Sequence, residues 1–143
     1  MGSLAEKALM NHKKKYNCAQ AVACAFCEEL GRNEKEVFEI MEPFGLGMGY
    51  MGTCGAVSAM AAVIGMVVSD GQLDEPKSKK ESYKVMKELV RKFQEKNGTV
   101  ICRELKGVET KKILRSCDGC VTDAAELLEE FLEERQRAEQ DVR

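Results

Sequence analysis

The chain has 143 residues and a formal net charge of −2, which is the size of one domain with a single buried core. Charged residues of both signs are interspersed and no basic stripe carries interleaved aromatic residues, so we expect no nucleic-acid partner. No segment has the length of a membrane span or the apolar core of a secretory signal, so we expect a cytoplasmic protein that does not insert into membranes.

Three helices are predicted in the first third of the chain, over residues 3–14, 18–30 and 34–41. Ser3 and Glu6 have the spacing of a capping box, and Asn17 with Gln20 repeats it. Asn33 is the expected cap of the third helix. His12 is the only histidine, and we expect it to be structural or solvated and not a ligand.

A glycine-rich stretch over residues 45–56, Gly-Leu-Gly-Met-Gly-Tyr-Met-Gly-Thr-Cys-Gly-Ala, organises the middle of the chain. No strand precedes it and no Gly-Lys-Ser/Thr follows, so a nucleotide-binding interpretation is weak and we expect the loop to wrap a sulfur site. Thr53 is the expected N-cap of a helix that begins at Cys54, where free N–H groups and the helix dipole favour a thiolate. Gly52 and Gly55 flank this cysteine and are the expected cofactor-binding glycines.

The apolar run from Ala56 to Val68 is too long for an ordinary buried strand and too short for a bilayer span. It predicts a central core helix. Its small residues fall on one side, where we expect another helix to approach closely. They are Ser58, Ala61, Ala62, Gly65 and Ser69.

Four further helical segments are predicted, over residues 78–96, 100–105 and 110–116 and from Asp118 onwards. Gly98 and Gly107 are the expected ends of the first two, and Asp118 is the expected cap of the last. The charged tail from Glu133 is expected to fray. Because no stretch alternates as a strand does, the expected fold is one all-α domain over residues 1–143, built around the central apolar helix.

Seven cysteines are many for a cytosolic domain, where thiols stay reduced. The number is odd, so a set of disulfides would leave one thiol over, and metal or redox chemistry is favoured. Free cysteines that pack as small apolar residues account for some of them. Cys24 and Cys27 are predicted on the polar side of their helix, and a zinc site that pairs them with Cys117 and Cys120 would place one pair mid-helix, which is unusual.

Four cysteines share one feature, because each lies within or next to the first turn of a predicted helix: Cys18, Cys54, Cys102 and Cys117. Helix N-termini that converge would supply N–H donors to anionic sulfur and offset the charge of several thiolates. Four thiolates suit zinc or an iron–sulfur cluster. From the residues alone, metal or cluster binding, reactive thiols and inert packing all stay open.

The chain resembles a family of small redox-active proteins named for a Cys, Cys-Gly-Ala-x-x-Gly, Cys, Cys pattern. The resemblance spans about residues 16 to 132, and Ala59 stands where the pattern has glycine. Cys24, Cys27 and Cys120 lie outside the four family positions. The matching segments are residues 16–22 (Tyr-Asn-Cys-Ala-Gln-Ala-Val), 44–52, 54–59 (Cys-Gly-Ala-Val-Ser-Ala), 102–105 (Cys-Arg-Glu-Leu), and Cys117 ahead of 121–125 (Val-Thr-Asp-Ala-Ala).

The resemblance implies a cysteine-rich redox protein whose four family cysteines act together. A similar module accompanies the haem domain of split-Soret cytochromes, where it implies an iron–sulfur centre, but no Cys-x-x-Cys-His haem attachment occurs here. The expected function is electron transfer or redox sensing through an iron–sulfur cluster, most simply [2Fe–2S], with Cys120 as the substitute for Cys117.

Two other functions stay open, a thiol–disulfide redox protein and a zinc-stabilised structural or adaptor domain. A non-catalytic role is favoured over an enzyme, because no histidine is placed to serve a cysteine nucleophile. The expected partner is an unidentified redox protein, and a homodimer is left open.

Overall fold

The computed structural model describes residues 2–142, with side chains described for residues 2–141. Over this part of the chain, 74% of the residues are helical and no strand occurs, which confirms the all-α expectation. Its eight α-helices are α1 (Ser3–Lys13), α2 (Cys18–Ala25), α3 (Cys27–Leu30), α4 (Glu34–Met41), α5 (Gly55–Val68), α6 (Lys79–Asn97), α7 (Cys102–Lys106) and α8 (Cys117–Val142).

The core is built around α5 and α2. Helix α5 packs against α2, α6 and α8, and α2 also packs against α1, α4 and α8. Three large side chains of α5, Met60, Val63 and Ile64, are buried, and each stabilises the fold by roughly 1.5–3 kcal/mol relative to exposure. The central apolar helix is therefore where the sequence predicted it.

The small side of α5 does not receive another helix, so that expectation is wrong. Ala61 is exposed, and a Cβ atom built on Gly65 would meet nothing within 4 Å. The close approach occurs on α2 instead, because its alanines are fully buried and present little bulk to α1, α5 and α8.

The caps of the N-terminal half are mostly as predicted. Asn17 Oδ1 accepts the Gln20 backbone N–H at 2.9 Å and Gln20 Oε1 accepts the Asn17 N–H at 3.0 Å, which is the predicted capping box of α2. Asn33 accepts the backbone N–H of Glu36 at the start of α4. Ser3 forms no capping box, because it is already the first residue of α1. The backbone N–H of Ala5, two residues later, donates to the Glu129 side chain of α8.

The start of α8 differs from the prediction. Ser116 is the cap, since its Oγ accepts the Gly119 N–H at 3.0 Å, and the helix begins at Cys117, so Asp118 is not the cap. Residues 110–116 form turns and no helix. Helix α8 continues to Val142, supported by Arg135, which pairs with Glu81 of α6 and with Glu139, so the expected fraying is not observed over the described residues.

None of the helices within residues 2–142 combines the length and the apolar character needed to cross a membrane.

Candidate functional site

A cavity of about 170 Å³ lies where four helices begin. Cys18 is the first residue of α2, Cys54 directly precedes α5, and Cys102 and Cys117 are the first residues of α7 and α8. The cavity wall consists of His12, Asn17, Cys18, Leu46, Cys54, Cys102, Leu105, Lys106, Arg115, Cys117 and Cys120. All four cysteines singled out in the sequence therefore line one cavity, together with Cys120.

Two short backbone segments place Cys54 beside Cys102. The Cys54 N–H donates to the carbonyl oxygen of Val100 at 2.7 Å, and the Cys102 N–H donates to that of Gly52 at 2.7 Å. These bonds form an antiparallel bridge just before α5 and α7 and align the starts of both helices. Cys54 is the N-cap position of α5, so the helix begins one residue later than predicted and Thr53 is not its cap.

Gly52 and Gly55, the two glycines predicted to bind a cofactor, differ in their position relative to the cavity. A Cβ atom on Gly55 would lie 2.5 Å from the Cys18 sulfur and 2.8 Å from the carbonyl oxygen of Phe44. Glycine at this position therefore lets α5 begin directly against Cys18. Gly52 is not part of the cavity wall and acts through its carbonyl oxygen, which holds Cys102. Contact of either glycine with a cofactor stays a prediction.

The glycine-rich loop curls tightly against the cavity. Three of its non-glycine residues, Leu46, Met48 and Met51, have φ angles of 54°, 58° and 63°. Such left-handed backbone costs of order 1–3 kcal/mol per residue and is held where the surrounding structure demands it. The result is that the side chain of Leu46 forms part of the cavity wall.

Electrostatics single out Cys54 among the cavity thiols. A hydrogen bond from the Cys120 thiol, with the N–H groups of Ala56 and Val57 and the charge of Lys106, outweighs burial and lowers the pKa of Cys54 to about 7. The same hydrogen bond raises the pKa of Cys120, and burial adds to that effect. Among these two coupled thiols, the first to ionise is therefore Cys54.

Cys18 and Cys102 are held neutral unless a cation offsets their charge. Burial is the main cause that raises the pKa values of Cys18 and Cys102, and the negative charge of Cys54 raises both further. Lys106 opposes this effect at Cys102. A cavity of this kind gathers several thiolates only when a positively charged group enters it.

Arg115 is held in the cavity wall by a buried carboxylate. Asp123 of α8 has a side chain 2% exposed and accepts two hydrogen bonds of 3.0 Å from Arg115. It also accepts bonds from Lys96 at 2.6 Å and from Asn97 at 3.1 Å. Burial alone would raise the pKa of Asp123, but these hydrogen bonds outweigh it and hold the pKa below the usual range. The cluster ties the end of α6 and the turns before α8 to the cavity.

Asp123→Asn is expected to lower the free energy of unfolding by about 1–3 kcal/mol at pH 7, since the buried carboxylate charge that pairs with Arg115 and Lys96 is lost. The folded-state pKa is depressed, so this stabilisation is complete above the unfolded pKa of about 3.9 and is lost as the pH falls through the folded value. Denaturant unfolding of both proteins between pH 7 and pH 2 measures the difference, which should shrink below about pH 4. A constant difference over that range would contradict the assignment.

His12 also lies in the cavity wall. Its Nδ1 atom is 2.5 Å from Oδ1 of Asp118, and Lys13 pairs with the other oxygen at 3.2 Å. The hydrogen bond from His12, followed by that from Lys13, holds the pKa of Asp118 below its usual range. This structural pairing agrees with the expectation for His12, although its partner could not be named because the two residues are 106 apart in the sequence.

Cys24 and Cys27 lie outside the cavity. Both are core residues, 0% and 1% exposed, so their predicted place on a polar helix side is wrong. The helix breaks at Phe26, which turns Cys27 into the core. Burial is the main cause that raises the pKa of Cys24, to about 12, and it also raises that of Cys27. These two thiols behave as small apolar core residues.

Within residues 2–142, no three side chains of histidine, cysteine, aspartate or glutamate are grouped closely enough to hold a single metal ion.

Comparison with known proteins identifies the family of the chain. A family model described as "Putative redox-active protein (C_GCAxxG_C_C)" matches residues 16–131, which include every cysteine of the chain. No curated protein and no solved structure matches the chain. Since the family model covers most of its length and the pattern cysteines line one cavity, the chain belongs to the C_GCAxxG_C_C family of redox-active proteins.

Proposed function

We propose that this protein binds an iron–sulfur cluster, most simply [2Fe–2S], through Cys18, Cys54, Cys102 and Cys117. The observation that carries the proposal is that these four cysteines, each at the start of a different helix, line one cavity. Four cysteine thiolates are the usual ligand set of such a cluster. When bound, the cluster supplies a one-electron redox centre for electron transfer or redox sensing.

The residues around the cavity fit an anionic group with soft ligands. Lys106 and Arg115 contribute positive charge to the wall, and backbone N–H groups at the starts of α2 and α5 bond to the sulfur atoms of Cys18 and Cys54. Leu46 and Leu105 cover part of the wall and limit the access of water. Burial, N–H donors and nearby charge are the protein's means of tuning a cluster potential.

Cys117 is preferred over Cys120 as the fourth ligand. Cys117 is half-buried and opens α8, as the other three begin their helices, whereas Cys120 is 3% exposed and lies three residues further into α8. Cys120 stays the substitute ligand in this proposal. The cavity offers five thiols for four positions.

Two alternatives are outcomes of the same test. A zinc-stabilised domain would use the same cysteines, because four thiolates also suit zinc. A thiol–disulfide protein needs reactive thiols. Among the cavity cysteines whose pKa is shifted, Cys54 is the only one with a lowered pKa. The free thiols suit a reducing compartment, so we place the protein in the cytoplasm, with an unidentified redox protein as its partner.

Anaerobic reconstitution tests the proposal. Incubation of the reduced protein with ferrous iron and sulfide should give about two irons and two sulfides per chain, visible absorption bands, and a paramagnetic signal after one-electron reduction. The control is the same treatment with zinc alone. Stoichiometric zinc binding with no iron–sulfide uptake would reject the cluster and favour the zinc-stabilised domain.

A further inference from the structure

The glycine-rich loop forms one side of the rim of the cysteine cavity. Leu46 belongs to the cavity wall and is nevertheless 45% exposed, so it lies where the cavity meets solvent. The loop is closed by the Gly52 N–H, which donates to the Gly47 carbonyl oxygen at 2.9 Å. Met48 and Tyr50 lie between these two glycines and are 47% and 69% exposed. Large apolar side chains are therefore held in solvent beside the cavity.

A second exposed segment, the turns between α7 and α8, forms another part of the rim. Leu114 donates its N–H to the carbonyl oxygen of Leu105 at 2.9 Å, and Leu105 lines the cavity together with Arg115. Of the nine large apolar side chains that are exposed within residues 2–141, five belong to the loop and these turns. Exposed apolar side chains gathered in one place mark a binding surface. We call these five the apolar lip: Leu46, Met48, Tyr50, Ile113 and Leu114.

Positive charge is concentrated around the same cavity. Residues 12–18, 44–54 and 102–117 supply the whole cavity wall except Cys120, and they contain eight basic and two acidic residues. Their formal charge is thus +6, although that of the whole chain is −2. Four of their lysines are exposed and take part in none of the ion pairs of the described residues: Lys14, Lys15, Lys111 and Lys112.

We propose that this face is the docking surface for an acidic electron-carrying protein, whose apolar contact area rests on the lip while its carboxylates meet the surrounding lysines. An apolar centre with a charged rim is the usual anatomy of a protein interface, and complementary charge speeds the encounter of the partners. That the partner carries electrons rests on the proposed function. That it is acidic follows from the charge of this face alone.

Two other anionic surfaces, a nucleic acid and a lipid bilayer, fit this face less well. Proteins hold single-stranded nucleic acid by stacking bases on several aromatic side chains, and Tyr50 is the only aromatic residue of the lip. A segment that binds the membrane surface is usually an amphipathic helix, whereas the lip belongs to a loop and to turns. Both surfaces are outcomes of the test below.

The test measures the binding of oxidised flavodoxin, an acidic electron-transfer protein, to the reduced full chain without metal. Binding in about 20 mM salt should weaken by about tenfold or more in about 0.5 M salt, because the screening length falls to roughly 4 Å. Amide chemical shifts of the labelled chain should change over residues 44–52 and 106–115 and stay constant over residues 79–89 of α6. Cytochrome c, a basic electron-transfer protein, should not bind.

Two equally exposed tyrosines test the apolar lip. Tyr50→Ala should weaken flavodoxin binding by about fivefold or more, which is the usual effect of removing an aromatic side chain from the centre of an interface. Tyr83→Ala is the matched control, because Tyr83 is 68% exposed against 69% for Tyr50 but lies on α6. It should leave binding unchanged.

Two lysine pairs test the charge. Replacing Lys111 and Lys112 together by glutamate should weaken flavodoxin binding by about tenfold or more in low salt, and by less in high salt. The control makes the same change at Lys79 and Lys80. These two lysines begin α6 and belong to none of the segments that supply the cavity wall, so binding should change much less.

The proposal would be overturned by a lack of flavodoxin binding in low salt, by shift changes confined to another face, or by equal losses in a variant and its control. Binding to phosphatidylserine vesicles or to a DNA oligonucleotide that Tyr50→Ala weakens, with no flavodoxin binding, would assign the face to a membrane or to nucleic acid instead. Iron–sulfide reconstitution is measured separately. Docking without cluster uptake would leave the acidic partner standing and reject the proposed function, and the opposite pair of results would do the reverse.

Discussion

Gly55→Ala is expected to lower the free energy of unfolding by about 1–3 kcal/mol, the usual cost of forcing extra bulk into a packed site. The new Cβ atom would lie 2.5 Å from the Cys18 sulfur and 2.8 Å from the Phe44 carbonyl oxygen, so the start of α5 must move away from α2. Under the proposed function this also separates Cys18 from Cys54 and lowers iron uptake. Denaturant unfolding and iron analysis of the reconstituted variant measure the two effects.

Gly65→Ala is the matched control, because it makes the same chemical change ten residues further along the same helix. Nothing lies within 4 Å of a Cβ atom at Gly65, and its backbone is helical. Alanine there should stabilise the protein by about 0.5–1 kcal/mol through helix propensity, with no change in iron uptake. Equal effects of the two substitutions would show that the space beside Cys18 is not the cause.

Local signals in the sequence predicted the helix starts on which the site depends. Asn17 with Gln20 forms the capping box that places Cys18 at the start of α2. The apolar run after Cys54 is the buried helix α5, and the left-handed Gly98 and Gly107 end α6 and α7 as predicted. These features succeed because each is decided by side chains and backbone within a few residues.

Features that depend on distant partners could not be predicted. Residues 110–116 have a helical pattern but form turns, because Leu114 donates its N–H to the Leu105 carbonyl oxygen and Arg115 is drawn to Asp123. The pairing of His12 with Asp118 joins residues from opposite ends of the chain. In each case a tertiary contact outweighs the local preference.

The surroundings of Cys120 could not be predicted for a related reason. In the sequence it reads as a substitute for Cys117, three residues away. It lines the same cavity as Cys54 because α8 packs against α5, and the antiparallel bridge at Thr53 and Ile101 holds Cys54 in place. Spacing identified the cysteine, but only the packing shows that it shares the cavity with the other four.

Cys54→Ala is expected to abolish iron–sulfide uptake under conditions that load the wild-type chain. Of the two coupled thiols Cys54 and Cys120, Cys54 is the first to ionise. Its backbone N–H donates to the Val100 carbonyl oxygen, which holds it at the start of α5. Without it, three of the proposed ligands remain, and the N–H groups of Ala56 and Val57 lose their sulfur acceptor. Iron and sulfide analysis with visible absorption measures the loss.

Cys24→Ala is the control that separates a ligand from a buried core thiol. Both residues are almost fully buried, at 0% exposed for Cys24 and 5% for Cys54, so each substitution should lower the free energy of unfolding by roughly 1 kcal/mol through lost packing. Only Cys54→Ala should also lose iron, because Cys24 lies outside the cavity. Full loading of Cys54→Ala would remove this residue from the proposed ligand set, and equal losses in both variants would attribute the effect to unfolding.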